Sequence, residues 1–398
     1  MSDSSDRSSN DSTSAVESDA NRPIDLKSPR ETLRPQKVPK VPKRSSHARN
    51  GWVVVLNLFF SALMLVLLVS GAALYWGAQK YVAAGPLEKP VRVQVKKGSS
   101  LRDIGDNLRR NKVIDSPLIF WASVRLQKKA ADLKAGEYVF EKETSMSDVV
   151  DKLVEGKAII YKVTLPEGLT SQQIVKILRA DEILTGEIKE IPAEGSLLPN
   201  TYTFGRGTTR QHIIDLMKAE QIKTMERIWA KRVDGLPLKT IKEMVILASI
   251  VEKETAKADE RPRVAAVFIN RLKKGIKLQS DPTIIYGLFG GGGKPKDRPI
   301  YKSDIEKPTA YNTYTIPALP PGPISNPGLA AMESVANPAQ TNEFYFVADG
   351  TGGHAFAKTL EEHNNNVRKW RLIEKERKAK ASKKEEKELK EEQAAEKN

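Results

Sequence analysis

Apolar and polar positions follow a different rhythm in each part of the chain. Residues 1–51 have no apolar period. They are Ser/Asp-rich to about 21, then basic and dotted with proline, which predicts a disordered tail. Residues 52–76 read WVVVLNLFFSALMLVLLVSGAALYW, with no charge, Asn57 as the most polar residue, and aromatic residues at both ends. A helix of that length crosses a hydrocarbon core of about 30 Å, so a single transmembrane helix is expected. A cleaved signal peptide fits less well, because the run is too long and lies too far from the N-terminus.

Beyond a Pro/Gly linker at 85–90, one spacing recurs. Val95 is followed by Leu101, Ile104 and Leu108; Phe140 by Met146, Val149 and Leu153; Leu165 by Ser171, Ile174 and Leu178. Each unit predicts a strand, a polar turn and a capped helix. Ser100 with Asp103 and Ser145 with Asp148 are helix-start pairs, Gly156 a helix stop, and Ser116-Pro117 the start of an extra helix. The first two units predict a small α+β module at 91–157, and the third leads into a larger α+β domain at 158–370. Within that domain 197–204 predicts a turn and strand, 212–228 a helix, and 344–356 a hairpin turning at Asp349-Gly350. Residues 361–370 begin a final helix, and 371–398 form a charged tail of Lys, Glu and Ala.

The stretch 240–257, TIKEMVILASIVEKETAK, stands apart. Thr240 and Glu243 predict a capping box, and only Ser249 is polar between Met244 and Val251. A helix apolar all round is a core helix. Glu252 and Glu254 close it, and at about 100° per residue they fall on nearly opposite faces. The run Asp259-Glu260-Arg261-Pro262 predicts the cap and start of a second helix, ending at Gly275.

The chain has 398 residues, a formal net charge of +15 and no cysteine. Disulfide and thiolate chemistry are therefore excluded. Four histidines, His47, His212, His354 and His363, lack metal-ligand spacing, so no metal or cofactor is expected. Lys37, Lys40, Lys43, Arg44 and Arg49 crowd the N-terminal side of the apolar run, against Lys80 and Lys89 after it. This places the N-terminus in the cytoplasm and the bulk of the chain outside, which argues against a nucleic-acid partner for the net charge.

Two features carry candidate chemistry. The carboxylates at 252 and 254 sit at a helix C-terminus, whose partial negative charge disfavours ionisation, and burial acts in the same sense. A carboxyl kept protonated near neutral pH suits a general acid for glycosidic cleavage. The competing reading is a solvated helix end with Lys253 or Lys257 neutralising either acid, and the helical faces do not choose between Glu252 and Glu254. The second feature is the loop Tyr311, Asn312, Thr313, Tyr314, with Gln279, Ser280 and Asp281 nearby in sequence. Aromatic faces with a few hydrogen-bonding groups suit sugar recognition. The run GGGGK at 290–294 is no phosphate loop, since Leu288 and Pro295 occupy positions that the pattern reserves for Gly and Ser/Thr.

Taken together, ASIVEKET (248–255), VFINRL (267–272), LQSDPTIIYG (278–287), TAYNTYT (309–315), LPPGPI (319–324) and FVADGTGGHAF (346–356) resemble the YceG-like family, the endolytic murein transglycosylases. The 91–157 region resembles that family's LysM-like module. The resemblance implies an inner-membrane protein with a periplasmic catalytic domain, acting on peptidoglycan glycan strands in the neighbourhood of cell-wall synthases. It implies cleavage of the β-1,4 bond between N-acetylmuramic acid and N-acetylglucosamine, leaving 1,6-anhydro ends. The second acid of the EKET run, Glu254, is then the catalytic one, with Gln279, Asp281, Tyr311, Asn312, Thr313 and Tyr314 as substrate contacts. The alternative from another class is a non-catalytic, membrane-bound glycan scaffold; plain muramidase activity would differ by leaving reducing ends.

Overall fold

The computed structural model describes residues 51–395; the tail expected over 1–51 lies outside them except for Gly51. The described residues divide into two units, the first ending at Leu74 and the second beginning at Tyr75. The first contains most of α1, Gly51–Val82, which has no buried residue. It is the one helix among the described residues long and apolar enough to cross a membrane. The helix outlasts the expected 52–76 because Ala78, Gln79 and Lys80 are good helix formers and continue it past the apolar run.

In the second unit, β1 (Val91–Val95), α2 (Leu101–Arg110), α3 (Pro117–Leu126), β2 (Gly136–Phe140) and α4 (Met146–Glu155) follow the predicted strand-then-helix order. β1 and β2 pair antiparallel from Val91↔Phe140 to Val95↔Gly136. The predicted caps form: Ser100, Ser116 and Ser145 each accept a backbone N–H of their helix, and Gly156 takes the left-handed conformation that ends α4. Val95, Ile104, Leu108, Phe140, Val149 and Leu153 share one core.

The third unit, β3 (Tyr161–Thr164) and α5 (Ser171–Ala180), pairs elsewhere. β3 runs antiparallel to β4 (Thr201–Phe204), with Val163 opposite Tyr202. Then come α6 (Arg210–Ala230), α7 (Ile241–Glu254), α8 (Arg261–Lys274), α9 (Asp281–Phe289), a 3-10 turn at Gly290–Gly292, α10 (Lys302–Glu306) and α11 (Leu329–Ala336). The hairpin β5 (Tyr345–Ala348) and β6 (His354–Ala357) follows, and α12 (Leu360–Ala395) closes the chain. Helices and short antiparallel strand pairs in separate stretches make a mixed α+β fold.

α7 is the axis of the larger core. Every residue from Met244 to Val251 is buried, among side chains of α8 and α11 that include Val264, Phe268, Met332 and Val335. Burial of each such side chain contributes about 1.5–3 kcal/mol relative to exposure. The single polar residue is satisfied: Ser249 Oγ donates to the Ile246 carbonyl at 2.7 Å and accepts the Ile324 N–H at 3.0 Å. The start of the helix differs from the expected capping box. Thr240 Oγ1 accepts the Glu243 N–H, but the Glu243 carboxylate reaches one residue further back, to the Lys239 N–H at 2.5 Å. The start of α8 also differs. Glu260 holds the cap position without capping through its side chain.

Candidate active site

Glu254 is the last helical residue of α7 and is half-buried. Ser280 Oγ donates to its Oε1 at 2.5 Å. That serine, only 1% exposed, is aimed by two features of the 279–283 turn. Gln279 has a positive φ of 54°, uncommon for a residue with a Cβ, and its N–H donates to the Thr313 carbonyl at 3.2 Å. The Ser280 N–H then donates to Thr313 Oγ1 at 2.9 Å. Burial pushes the Glu254 carboxyl up to about 7; the nearby Asp281 charge adds to the rise, while the Ser280 hydrogen bond and the charges of His354 and Arg271 oppose it. A carboxyl with that pKa exchanges its proton near neutral pH, as an acid that must also serve as a base requires.

Glu252 points elsewhere. Its Oε2 accepts the Gly328 N–H at 2.9 Å, at the cap of α11. A carboxylate at a helix N-terminus is a structural tie with a favourable dipole. Glu167 lies against the same glycine, and burial, with some help from the Glu167 charge, raises the Glu252 pKa. The two acids differ in their partners: Glu252 joins two helices, and Glu254 faces the turn of polar residues. Neither lysine neutralises Glu254 through a salt bridge. Lys253 donates to the Gly168 carbonyl, and Lys257 pairs with Glu260 at 3.7 Å.

Sequence reasoning missed Arg271 as a partner of the site and named Ser280 only as a nearby polar group, although both lie inside the quoted runs. Arg271 is buried on α8, with Nε donating to the Phe344 carbonyl at 2.6 Å and Nη1 to the Leu278 carbonyl at 2.8 Å, and its guanidinium lies over the Tyr345 ring. It joins the 278–279 turn to the β5–β6 hairpin and supplies positive charge near Glu254. Its signal was a charged residue amid the apolar VFINRL run. His354 is clamped by Glu260, whose two oxygens take its N–H at 3.0 Å and its Nδ1 at 2.8 Å.

The six expected substrate contacts divide. Gln279 and Asp281 are exposed, and Tyr311 and Tyr314 half-buried. The Tyr314 hydroxyl donates to Asp281 Oδ1 at 2.7 Å. Tyr311 packs against Tyr286 with ring centroids 4.8 Å apart. This approach needs Gly287, because a Cβ there would meet Thr309 Oγ1 at 2.3 Å. Asn312 and Thr313 are a correction. At 1% and 0% exposure they are not presented to a ligand. Asn312 Nδ2 donates to the Ile305 and Lys307 carbonyls, and Thr313 Oγ1 serves Ser280 and Thr283. Half of the loop's polar side chains are thus turned inward, Thr313 to the 279–283 turn and Asn312 to the 305–307 segment.

A second unusual carboxyl is Glu194. Its Oε1 accepts the Ser171 N–H at the start of α5, its Oε2 is buried without a partner, and burial pushes its pKa up to about 7. Among the described residues no cluster of His, Asp and Glu converges as a metal site.

Three relatives are informative. An endolytic murein transglycosylase from Bacillus subtilis (strain 168) is 30% identical over 335 residues, covering 76% of this chain and 91% of its own. One from Streptococcus pneumoniae (strain ATCC BAA-255 / R6) is 31% identical over 363 residues, covering 78% of this chain, which spans 65% of that protein's length. The crystal structure of a yceG-like protein from Listeria monocytogenes is 32% identical, covering 70% of this chain and 99% of that one, with a TM-score of 0.42. The model of the YceG-like family matches residues 93–369, from the first strand through the beginning of α12. With a match of that extent, and Glu254 within it, the chain belongs to the YceG-like family.

Proposed function

We propose that this chain is an endolytic lytic transglycosylase that cleaves the β-1,4 bond between N-acetylmuramic acid and N-acetylglucosamine in nascent peptidoglycan strands. Glu254 is its acid and then its base. The observation that carries this reading is the half-buried Glu254 carboxyl, pushed up to about 7 and held by Ser280; the names of the relatives support the same chemistry. In the first step Glu254 gives its proton to the glycosidic oxygen as the bond from the muramyl C1 to that oxygen breaks. In the second, the muramyl C6 hydroxyl bonds to C1 and gives its proton to the Glu254 carboxylate. The proton count closes, no water is consumed, and a 1,6-anhydro ring results. One carboxyl suffices because the substrate supplies the nucleophile, whereas hydrolytic glycosidases use two.

Gln279, Asp281, Tyr311 and Tyr314 are the proposed sugar contacts, through amide, carboxylate and ring faces. The β1–α2–α3–β2 order with antiparallel strands supports reading 91–157 as a LysM-like glycan-binding module. α1 is the proposed single span, with 1–50 cytoplasmic and the chain beyond it periplasmic, on the basic residues that precede it. One observation favours a second reading. The charge of Asp281 acts on Glu254, as a second carboxylate would in a muramidase. Purified protein on glycan strands separates them: anhydro ends that vanish in Glu254→Gln support the transglycosylase, and reducing ends that vanish in Asp281→Asn support the hydrolase.

A further inference from the structure

Outside α1, the two most exposed large apolar side chains among the described residues are Leu118 and Leu126, at 69% and 75%. Both stand on α3, with exposed Ala122 midway between them. A four-residue spacing stacks the three on one helical face. The other face, through Pro117, Phe120 and Val124, is buried. α3 is therefore apolar on both sides, and its sequence PLIFWASVRL carries one charge, Arg125. One side is used by the module's core, and the other has no protein over it.

The attachments of α3 indicate what covers that side. At its C-terminal end, Gln127 Nε2 donates to the Tyr81 hydroxyl at 2.9 Å, and Tyr81 packs on the module's core. At its N-terminal end, Ser116 and Ile119 line one cavity together with Trp76 and Lys80. Both ends of α3 thus meet the last turns of α1, between residues 76 and 81. Trp and Lys at the end of an apolar helix mark the boundary between hydrocarbon and water. Lys80, Arg125 and Lys128 are exposed around the apolar face, a charge pattern that suits anionic headgroups.

We propose that α3 is an interfacial helix, with Leu118, Ala122 and Leu126 seated among the lipid headgroups of an anionic membrane surface. This rests on reading α1 as a membrane span. The module would then be held against the bilayer by two elements rather than swinging on one.

The chain has no cysteine, so single-site labelling of the full-length protein tests this directly. A polarity-sensitive fluorophore is placed on Leu118→Cys, Leu126→Cys, Lys162→Cys or Leu67→Cys. The protein is reconstituted in phosphatidylethanolamine/phosphatidylglycerol vesicles containing lipids spin-labelled either near the headgroup or deep in the acyl chain. The expected result is quenching at 118 and 126 by the shallow spin label, several-fold above that at 162, with position 67 quenched by the deep label. If 67 is quenched while 118 and 126 match 162, α3 does not touch lipid and the proposal is overturned. If 118 and 126 are shielded from water but not quenched by either lipid, a protein covers the face, and the proposal is equally overturned. If 67 itself escapes quenching, the span reading falls and takes the proposal with it.

Discussion

At the scale of single residues, the account turns on the environment of Glu254. Its folded-state pKa, about 7, lies above the ordinary glutamate value of 4.5. The folded protein therefore holds this proton more tightly than the unfolded chain does. The ionisation penalty is absent below about 4.5 and grows as pH rises toward 7, so this group lowers stability across that window. Glu254→Gln should accordingly be more stable than wild type at pH 8, by up to about 3 kcal/mol, and the gain should shrink below pH 4.5. Thermal unfolding of both proteins at the two pH values checks this. Ser280 bonds to the ionised form and so pulls the pKa down. Ser280→Ala should retain activity but move the alkaline limb of its pH–rate profile to higher pH; an unmoved limb would mean that Ser280 does not tune the acid. Gln279 has a related role. Its positive φ costs about 1 kcal/mol and aims Ser280, so this expected sugar contact also acts on backbone geometry.

At the scale of elements, α7 presents two acids to two different neighbours. Glu252 serves α11, so Glu252→Gln, which keeps an acceptor for the Gly328 N–H, should leave glycan cleavage within a few-fold of wild type and cost less than about 1.5 kcal/mol of stability. Parallel assays of the 252 and 254 variants measure that contrast directly. Thr313 serves the 279–283 turn. Thr313→Val leaves the Ser280 N–H buried without its acceptor and should cost about 1–3 kcal/mol, seen as a lower unfolding midpoint together with weaker cleavage. These elements were largely legible in the sequence. The core helix announced itself by its unbroken apolar run, the repeats by their fixed offsets, and the helix ends by Ser, Thr and Gly at the caps. The tertiary targets of polar side chains were not legible. Nothing in the local pattern says that Asn312 turns inward to the Ile305 and Lys307 carbonyls, or that Glu260 leaves its own helix start to clamp His354. The first depends on how a loop folds back on itself, and the second on packing between segments 94 residues apart. The same limit hid from the sequence that Glu252 bonds to Gly328 and Glu254 to Ser280.

At the scale of the whole molecule, the chain couples an apolar helix to a small module and then to the Glu254 domain. A polar link joins the last two: Glu137 of β2 accepts Arg206 Nε at 2.7 Å and the Tyr161 hydroxyl at 2.5 Å, beside the β3–β4 ladder. Under the proposed reading, an enzyme anchored by α1 would meet glycan strands close to where they leave the membrane, which suits cleavage within a strand during its synthesis. The measurement that bears most directly on this account is the mass of the products released from uncrosslinked glycan strands by purified full-length protein. Muropeptides one water lighter than hydrolytic products, lost at least about a hundredfold in Glu254→Gln, are the expected outcome for a single acid-base residue. Anhydro products formed by Glu254→Gln at the wild-type rate would contradict it.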